Sequence, residues 1–433
     1  MKFDVVVIGD GIAAHAAAAV AARRGMTCML LREPDTTGGR AAIFHKEGFT
    51  FDFGVLANRV AGAHPEIALK ASGAPARFHP GGGALCFNGT KLVAFPDGAA
   101  RAVLSPMLGI GGRIAWSRAI KNLRQQTLDP YAFKRDLAEW LLKLPGADQD
   151  VSEHASLISG WMFDAADLGR MPIGTFAEGL KGGAGRAPVT PLGGWAHVFM
   201  ALESAVMEKG DIMDGVEIKN IVFDGDTVLG VNAGGDFIEA GFVIAAVPVS
   251  CLLELAPEDS FPEETARRLR KLEPLRGISL YLGLDKPVTG VRGQIVTADP
   301  FTRGLVPTNL EPALAPRGCQ IMSWFMPVPA AVLSNADLLK NEKLKLKKIT
   351  ELVFPGVSKH LMVEEWREHA EVRSAAAVIG QTREDLPPVS AFKAKNAAMA
   401  NDAAGIGGPK GDTALKAALE AVSIAERQLN KRA

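Results

Sequence analysis

Tyrosine is nearly missing from these 433 residues: there are two, against twenty phenylalanines. No aromatic residue follows Phe392, so the C-terminal part of the chain has no ring with which to frame a planar ligand. Cysteine is sparse and scattered. Cys28, Cys86, Cys251 and Cys319 lie far apart, with no CxxC pair and no metal-ligand spacing, which excludes a disulfide framework and a zinc site and fits a reducing cytosol. The eight histidines, His15, His64 and His197 among them, form no spacing that compels a metal or an acid/base role. Net charge is absent, with 48 basic residues against 48 acidic ones, and this argues against nucleic acid as a partner. No apolar run approaches the ~20 residues of a membrane span. The longest candidate, Ala13 to Ala22, is too short and contains His15. The opening Met1-Lys2-Phe3-Asp4 runs straight into an apolar segment and leaves no room for a secretory leader, so a cytoplasmic location is expected.

What is present is the composition of a globular protein with a large interior: 48% apolar and 22% charged residues. The length exceeds one ordinary core and predicts two domains. With 46 glycines and 26 prolines, many tight turns and close backbone approaches are expected.

The first forty residues carry the strongest pattern. Val5 to Ile8 reads as a buried strand, Gly9-Asp10-Gly11 as a sharp turn, Ile12 to Arg24 as an Ala-rich helix ending at Gly25, and Thr27 to Leu31 as a second strand. This βαβ unit holds Gly9-x-Gly11-x-x-Ala14, the dinucleotide fingerprint in its G/A form. Gly9 permits the turn, Gly11 allows backbone N–H groups to approach a pyrophosphate, and a small residue at 14 brings helix and strand together. Gly38-Gly39-Arg40 follows the second strand, and Gly48-Phe49-Thr50-Phe51-Asp52-Phe53-Gly54 comes soon after.

With these two motifs at this spacing the chain resembles the flavin-dependent superfamily of phytoene desaturases, protoporphyrinogen oxidases and flavin amine oxidases. Further matches run along most of the chain: Pro191-Leu192-Gly193-Gly194 before a helix from Trp195 to Glu208, the strand-like segments from Ile218 to Pro248, and the closing stretch Asn396 to Ala403 with a Gly-rich loop and an Ala-rich helix from Asp412. The resemblance implies an α/β fold. A FAD/NAD(P)-binding Rossmann-like domain would be assembled from residues 1–80, 190–270 and 385–433, with an inserted α+β substrate domain from 81–189 and 271–384. It also implies site residues. Gly9, Gly11 and Ala14 would hold the FAD pyrophosphate, with Gly39 and Arg40 nearby. Gly54 and Val55 would lie along the isoalloxazine ring, and Ile218 would offer backbone groups to the adenine. Asp402 would bond the ribityl or pyrophosphate region, and Thr413 and Ala414 would open a helix whose dipole faces the flavin.

The chain departs from the family pattern at three points, one of them the thinning of the closing apolar strand to Ala397-Ala398-Met399. Where an acidic residue usually accepts from the adenosine ribose, eighteen positions beyond Ala14, stands Arg32, with Glu33 next to it. Adjacent side chains on a strand face opposite sides, so Glu33 serves only if the strand end bends. Arg32 itself is a residue type that accommodates the 2′-phosphate of NADP. The usual glycine before the last aspartate is Asn401.

The inserted segments predict a turn at Phe87 to Thr90, a strand from Gly277 to Leu284, and helices at Asp136 to Leu144 and Ala336 to Leu352, the latter with a solvated lysine face. Within residues 101–125 the basic stretch Arg113 to Gln125 gathers Ala115, Trp116, Ala119, Ile120 and Leu123 on one arc. Two readings stand for it: a helix packed on its own domain, or a peripheral membrane contact. The function expected is a FAD-dependent oxidoreductase moving hydride between a hydrophobic, isoprenoid- or tetrapyrrole-like substrate and flavin, with no catalytic side chain assigned. The alternatives are a flavin amine oxidase, weakened by the scarcity of tyrosine, and a non-catalytic paralogue with a degenerate nucleotide site.

Overall fold

The computed structural model describes residues 2–33, 39, 43–51, 69–73, 77–96, 106–126, 129–183, 190–406 and 412–431. Arg40, Gly54 and Val55 lie outside the described residues.

Val5 to Ile8 have no solvent exposure, as the apolar run requires of a strand covered on both faces. This strand, Lys2–Ile8, is the centre of a seven-stranded sheet. It pairs in parallel with Cys28–Leu31 on one side and with Asp236–Ala245 on the other. Gly210–Met213 extends the parallel part, as does Ala397–Met399 beside Asp236–Ala245. Ile218–Asp224 and Thr227–Ala233 form an antiparallel hairpin at the opposite edge, turning at Asp224-Gly225-Asp226. The sheet therefore collects strands from three separated stretches of chain.

The first helix, Ile12–Arg23, is buried from Ala13 to Ala22. It packs beside two others, Gly194–Val206 and Asp412–Asn430. A helix hidden on every face must be small or apolar throughout, and nine of these ten positions are Ala or Val. The exception is His15.

A second seven-stranded sheet takes strands from 85–94, 275–327 and 361–373. Leu275–Leu284 lies between Gln320–Pro327 and Leu361–Arg373, antiparallel to both. One face, with Ile278, Leu280, Leu282, Met322 and Trp324, packs under the helix Ala336–Val353. That helix pairs Lys343 with Glu368 and Lys347 with Glu364, so its lysine face is solvated as expected. The helices Ile110–Gln126, Leu137–Leu142, Gln149–Phe163 and Ile173–Gly183 build a separate core around Trp116, Trp161 and Phe176.

That core bears on the membrane reading of 101–125. Ala115, Trp116, Ala119 and Leu123 are buried in it, so the apolar arc that a bilayer would take up is already covered by protein. Only Ile110 at 80% and Ile114 at 51% exposure remain outside on this helix as large apolar groups.

Connecting segments help to join the two parts of the structure. The hairpin Phe44–Lys46 and Phe49–Phe51 packs Phe49 and Phe51 against Tyr281, Ile321 and Val363 of the second sheet. Glu311, also from the inserted part, accepts from the Gly193 N–H at 2.7 Å and contacts His79 Nε2 at 3.1 Å. It thereby holds the turn that opens the helix Gly194–Val206.

Candidate functional site

The parallel strands end along one line, at Ile8, Ala245 and Met399. A cavity of about 430 Å³ lies beyond them, with Ile8, Ala246 and Ala400 in its wall. Crevices outside the carboxyl ends of parallel strands are where such sheets bind ligands.

The turn at Gly9 is dictated sterically. Its φ is +132°, and a Cβ would stand 2.4 Å from the Ala246 carbonyl oxygen, so no side chain fits. The same Cβ would be 3.4 Å from that of Ala14, so the helix runs close to the turn here. Gly11 differs. A Cβ there would meet nothing within 4 Å among the described residues, and the residue lines the cavity, so its missing side chain leaves room beside them. Gly39, at φ +56°, closes over it, with an added Cβ 3.2 Å from the Gly11 nitrogen.

Gly11 caps the first helix without a side-chain hydrogen bond, and the first turn holds no acidic residue. The opening N–H groups and the positive end of the helix dipole therefore face the cavity at Ile12 and Ala13. Ala414, in the first turn of Asp412–Asn430, lines it from another side. Two helix N-termini bordering one crevice make a site for an anion such as a pyrophosphate.

Arg32 and Glu33 face opposite ways at the strand end. Arg32 is buried and turned away, its guanidinium 2.5 Å from Glu203 Oε1 and 2.9 Å from Asp214 Oδ2. Glu33 lines the cavity. Arg32 thus has two carboxylate partners within the protein. Hydrogen bonding from His15, together with the charge of Arg32, holds the Glu203 carboxyl below its ordinary range, so Glu203 stays ionised.

Ile218 and Asp402 also line the cavity. Asp402 Oδ2 accepts from the Ser374 N–H at 3.3 Å. Thr413 is buried beside Ala414. Asn401, in the place of the expected glycine, is bonded within the protein, where its amide donates to Val247 O at 2.9 Å and accepts from the Ala403 N–H at 3.0 Å. The substitution ties two strand ends together at the rim of the crevice.

Among the wall residues not legible as site residues, three come from distant segments. Arg373 arrives at the end of a strand from the other sheet, and Cys251 and Glu254 from the short helix Val249–Leu255. Nothing in their local sequence marks them; only the meeting of distant segments brings them here. Burial, reinforced by Glu254, Glu33 and Glu371, pushes the Cys251 thiol up, so it stands in the wall as a neutral group. Among the described residues no cluster of His, Cys, Asp and Glu could hold a metal ion, and no helix is long and apolar enough to cross a membrane.

Comparison with known proteins places this geometry. No family model matches the chain. A 4,4'-diapolycopene oxygenase from a Methylomonas species is 22% identical over 427 residues, covering 84% of each protein. An oxidoreductase from Methanosarcina mazei superposes with a TM-score of 0.81 at 21% identity, over 98% of this chain and 100% of its own. Cyclohexylamine oxidase from Brevibacterium oxydans gives a TM-score of 0.71 at 15% identity, over 99% of each chain. The chain therefore shares the fold of these oxidoreductases and oxidases, which is the fold its motifs led to expect.

Proposed function

We propose that the protein is a FAD-dependent oxidoreductase acting on a hydrophobic substrate of isoprenoid or tetrapyrrole type. One observation carries the reading: a crevice at the ends of parallel strands is bordered by two helix N-termini, an open space where Gly11 has no side chain, and the carboxylate of Glu33. These features fit the pyrophosphate and the adenosine ribose of a dinucleotide. The Ile12 and Ala13 N–H groups would bind the phosphates, Glu33 would accept from the ribose hydroxyls, and Asp402 and Ala414 would border the remainder. A carboxylate at position 33 would also repel a 2′-phosphate, which favours FAD over NADP. Bound flavin supplies hydride acceptance and donation. The chain's own part is to orient the substrate and to exclude water, so no nucleophile or triad is needed.

The preference for a carbon skeleton over an amine rests on the two tyrosines. Tyr281 is buried in the aromatic cluster with Phe44 and Phe51, and Tyr131 is 72% exposed on the helical region. Neither borders the cavity. A non-catalytic reading drew on Arg32 and Asn401; both have internal structural partners that account for them without loss of the nucleotide site.

The test is direct. Purified protein should show the absorption of bound flavin, and anaerobic addition of a hydrophobic hydride donor should bleach it. Colourless protein that takes up no added FAD would refute the cofactor. Bleaching by primary amines and not by hydrophobic donors would move the assignment to amine oxidation. Any bilayer contact would rest on Ile110, Ile114, Arg118 and Lys121. Retention on anionic vesicles that is lost in Arg118→Glu/Lys121→Glu would support it.

A further inference from the structure

His15 is the one polar side chain in the buried stretch of the first helix, and its exposure is 0%. Its backbone N–H makes the ordinary helical bond to the Gly11 carbonyl at 3.2 Å, and its ring Nδ1 reaches the same oxygen at 3.0 Å. A carbonyl oxygen only accepts, so Nδ1 carries the hydrogen. The other nitrogen, Nε2, lies 3.3 Å from both Glu203 Oε1 and Arg32 Nη1. Phe199 closes the ring from its edge at 4.7 Å. The ring is thus clamped at its far side by an ion pair, and its near side is presented to the backbone of the dinucleotide turn.

We infer that His15 is a positioning residue for the anion site, acting through the Gly11–Ile12 peptide. In a planar trans peptide the carbonyl and the following N–H point in opposite directions. A second donor on the Gly11 carbonyl, drawn into the buried side, therefore aims the Ile12 N–H the other way, out of the helix end into the cavity that Ile12 lines. The same bond polarises that peptide and strengthens the N–H as a donor. The chain Asp214, Arg32, Glu203, His15, Gly11 fixes the orientation of the ring. This is a second use for Arg32, distinct from any contact with a nucleotide.

The inference rests on the FAD reading for its ligand but not for its geometry, and the experiment separates the two. Asn carries an amide nitrogen where His has Nδ1, whereas Gln carries one where His has Nε2. His15→Asn should keep the bond to Gly11 and lose the link to Glu203; His15→Gln should do the reverse. FAD titration of apo-protein should give His15→Asn an affinity within about threefold of wild type. His15→Gln and His15→Leu should be at least tenfold weaker. Thermal unfolding without nucleotide should rank Asn and Gln together, since each loses one buried bond. Amide exchange of the peptide covering Gly9 to His15, also without nucleotide, should be slow in wild type and His15→Asn and fast in His15→Gln. If Asn and Gln weaken FAD equally, in step with their loss of stability, His15 only packs and the inference falls. If wild type binds no FAD, the functional reading falls, while the exchange comparison still decides whether His15 orders the turn.

Discussion

Gly9 and Gly11 belong to one motif and lack side chains for different reasons. At Gly9 a methyl group would enter the Ala246 carbonyl; at Gly11 it would enter space that no described residue fills. Gly9→Ala should therefore destabilise the whole protein, by roughly 3 kcal/mol or more given its left-handed backbone and the clash. Gly11→Val should fold with a melting temperature near wild type and lose FAD, as thermal scans with and without the cofactor would show. Loss of folding in Gly11→Val, or retained FAD, would contradict the assignment of that space. At the neighbouring strand end, Glu33→Ala should weaken FAD by about 1.5–3 kcal/mol, the cost of a charged hydrogen bond, with little change in apo stability. Arg32→Met should instead cost roughly 3–5 kcal/mol of folding stability, because it leaves Glu203 half-buried beside His15 without its cation. Calorimetric titration paired with denaturant unfolding tests both. The fingerprint glycines could be read from spacing alone, but the roles of residues 32 and 33 could not. Their assignment turns on the direction of a strand end, which is set by the backbone pairing of Arg32 with Met213 and Val216, far along the chain.

Among the elements, those with an internal period were the most legible. The first strand and helix, the hairpin at Asn88, the strand Leu275–Leu284 and the lysine-faced helix Ala336–Val353 all stand where apolar spacing and turn residues put them, within two or three residues at their ends. The helix Ile110–Gln126 shows the limit of this. Its apolar arc was evident, but an arc states only that something covers it, and the cover is supplied by helices Gln149–Phe163 and Ile173–Gly183 rather than by lipid. The turn at Gly193 is a similar case. Its motif was visible, while its partner Glu311 was not, since nothing local distinguishes that glutamate. Burial alone would raise the Glu311 carboxyl, but hydrogen bonds from the Gly193 N–H, His79 and the Ala313 N–H outweigh it and hold it below its ordinary range. A folded-state value below the unfolded one gives stability that is present at neutral pH and lost as pH falls through the acidic carboxylate range. Glu311→Gln should remove about 1.5–3 kcal/mol at pH 7 and flatten that acid limb, measured by urea unfolding at several pH values. An unchanged acid limb would show that the turn does not depend on this carboxylate.

For the whole molecule, the opening strand–helix–strand unit of the first sheet could be foreseen from adjacent segments, while its remaining strands arrive from 210–245 and 397–399. The second sheet mixes strands separated by up to some 290 residues, and its helical neighbour has a core of its own. That core contains a group with consequences for the entire fold. His154 is 2% exposed, stands edge-on to Trp116 at 4.9 Å, and has no hydrogen-bond partner at either ring nitrogen among the described residues. Burial lowers it to about 4 from an ordinary 6.5, so the folded protein keeps it neutral. The unfolded chain then binds the extra proton between these two values, and stability must decline as pH falls from about 6.5 to about 4. The span corresponds to about 3 kcal/mol, enough to consume a large share of a typical folding free energy. His369 contributes in the same direction: burial first, then Arg367, lowers it to about 4, while its Nε2 contacts the Ser279 hydroxyl at 2.9 Å. Replacing His154 with Leu takes away its proton without opening a polar hole. His154→Leu should match or exceed wild-type stability at pH 5 and show a shallower decline from pH 6.5 to 4.5, whereas His154→Leu/His369→Gln should be shallower still. Chemical unfolding across that range decides the matter. If the slopes of wild type and both variants coincide, the acid sensitivity of this fold is not carried by its buried histidines.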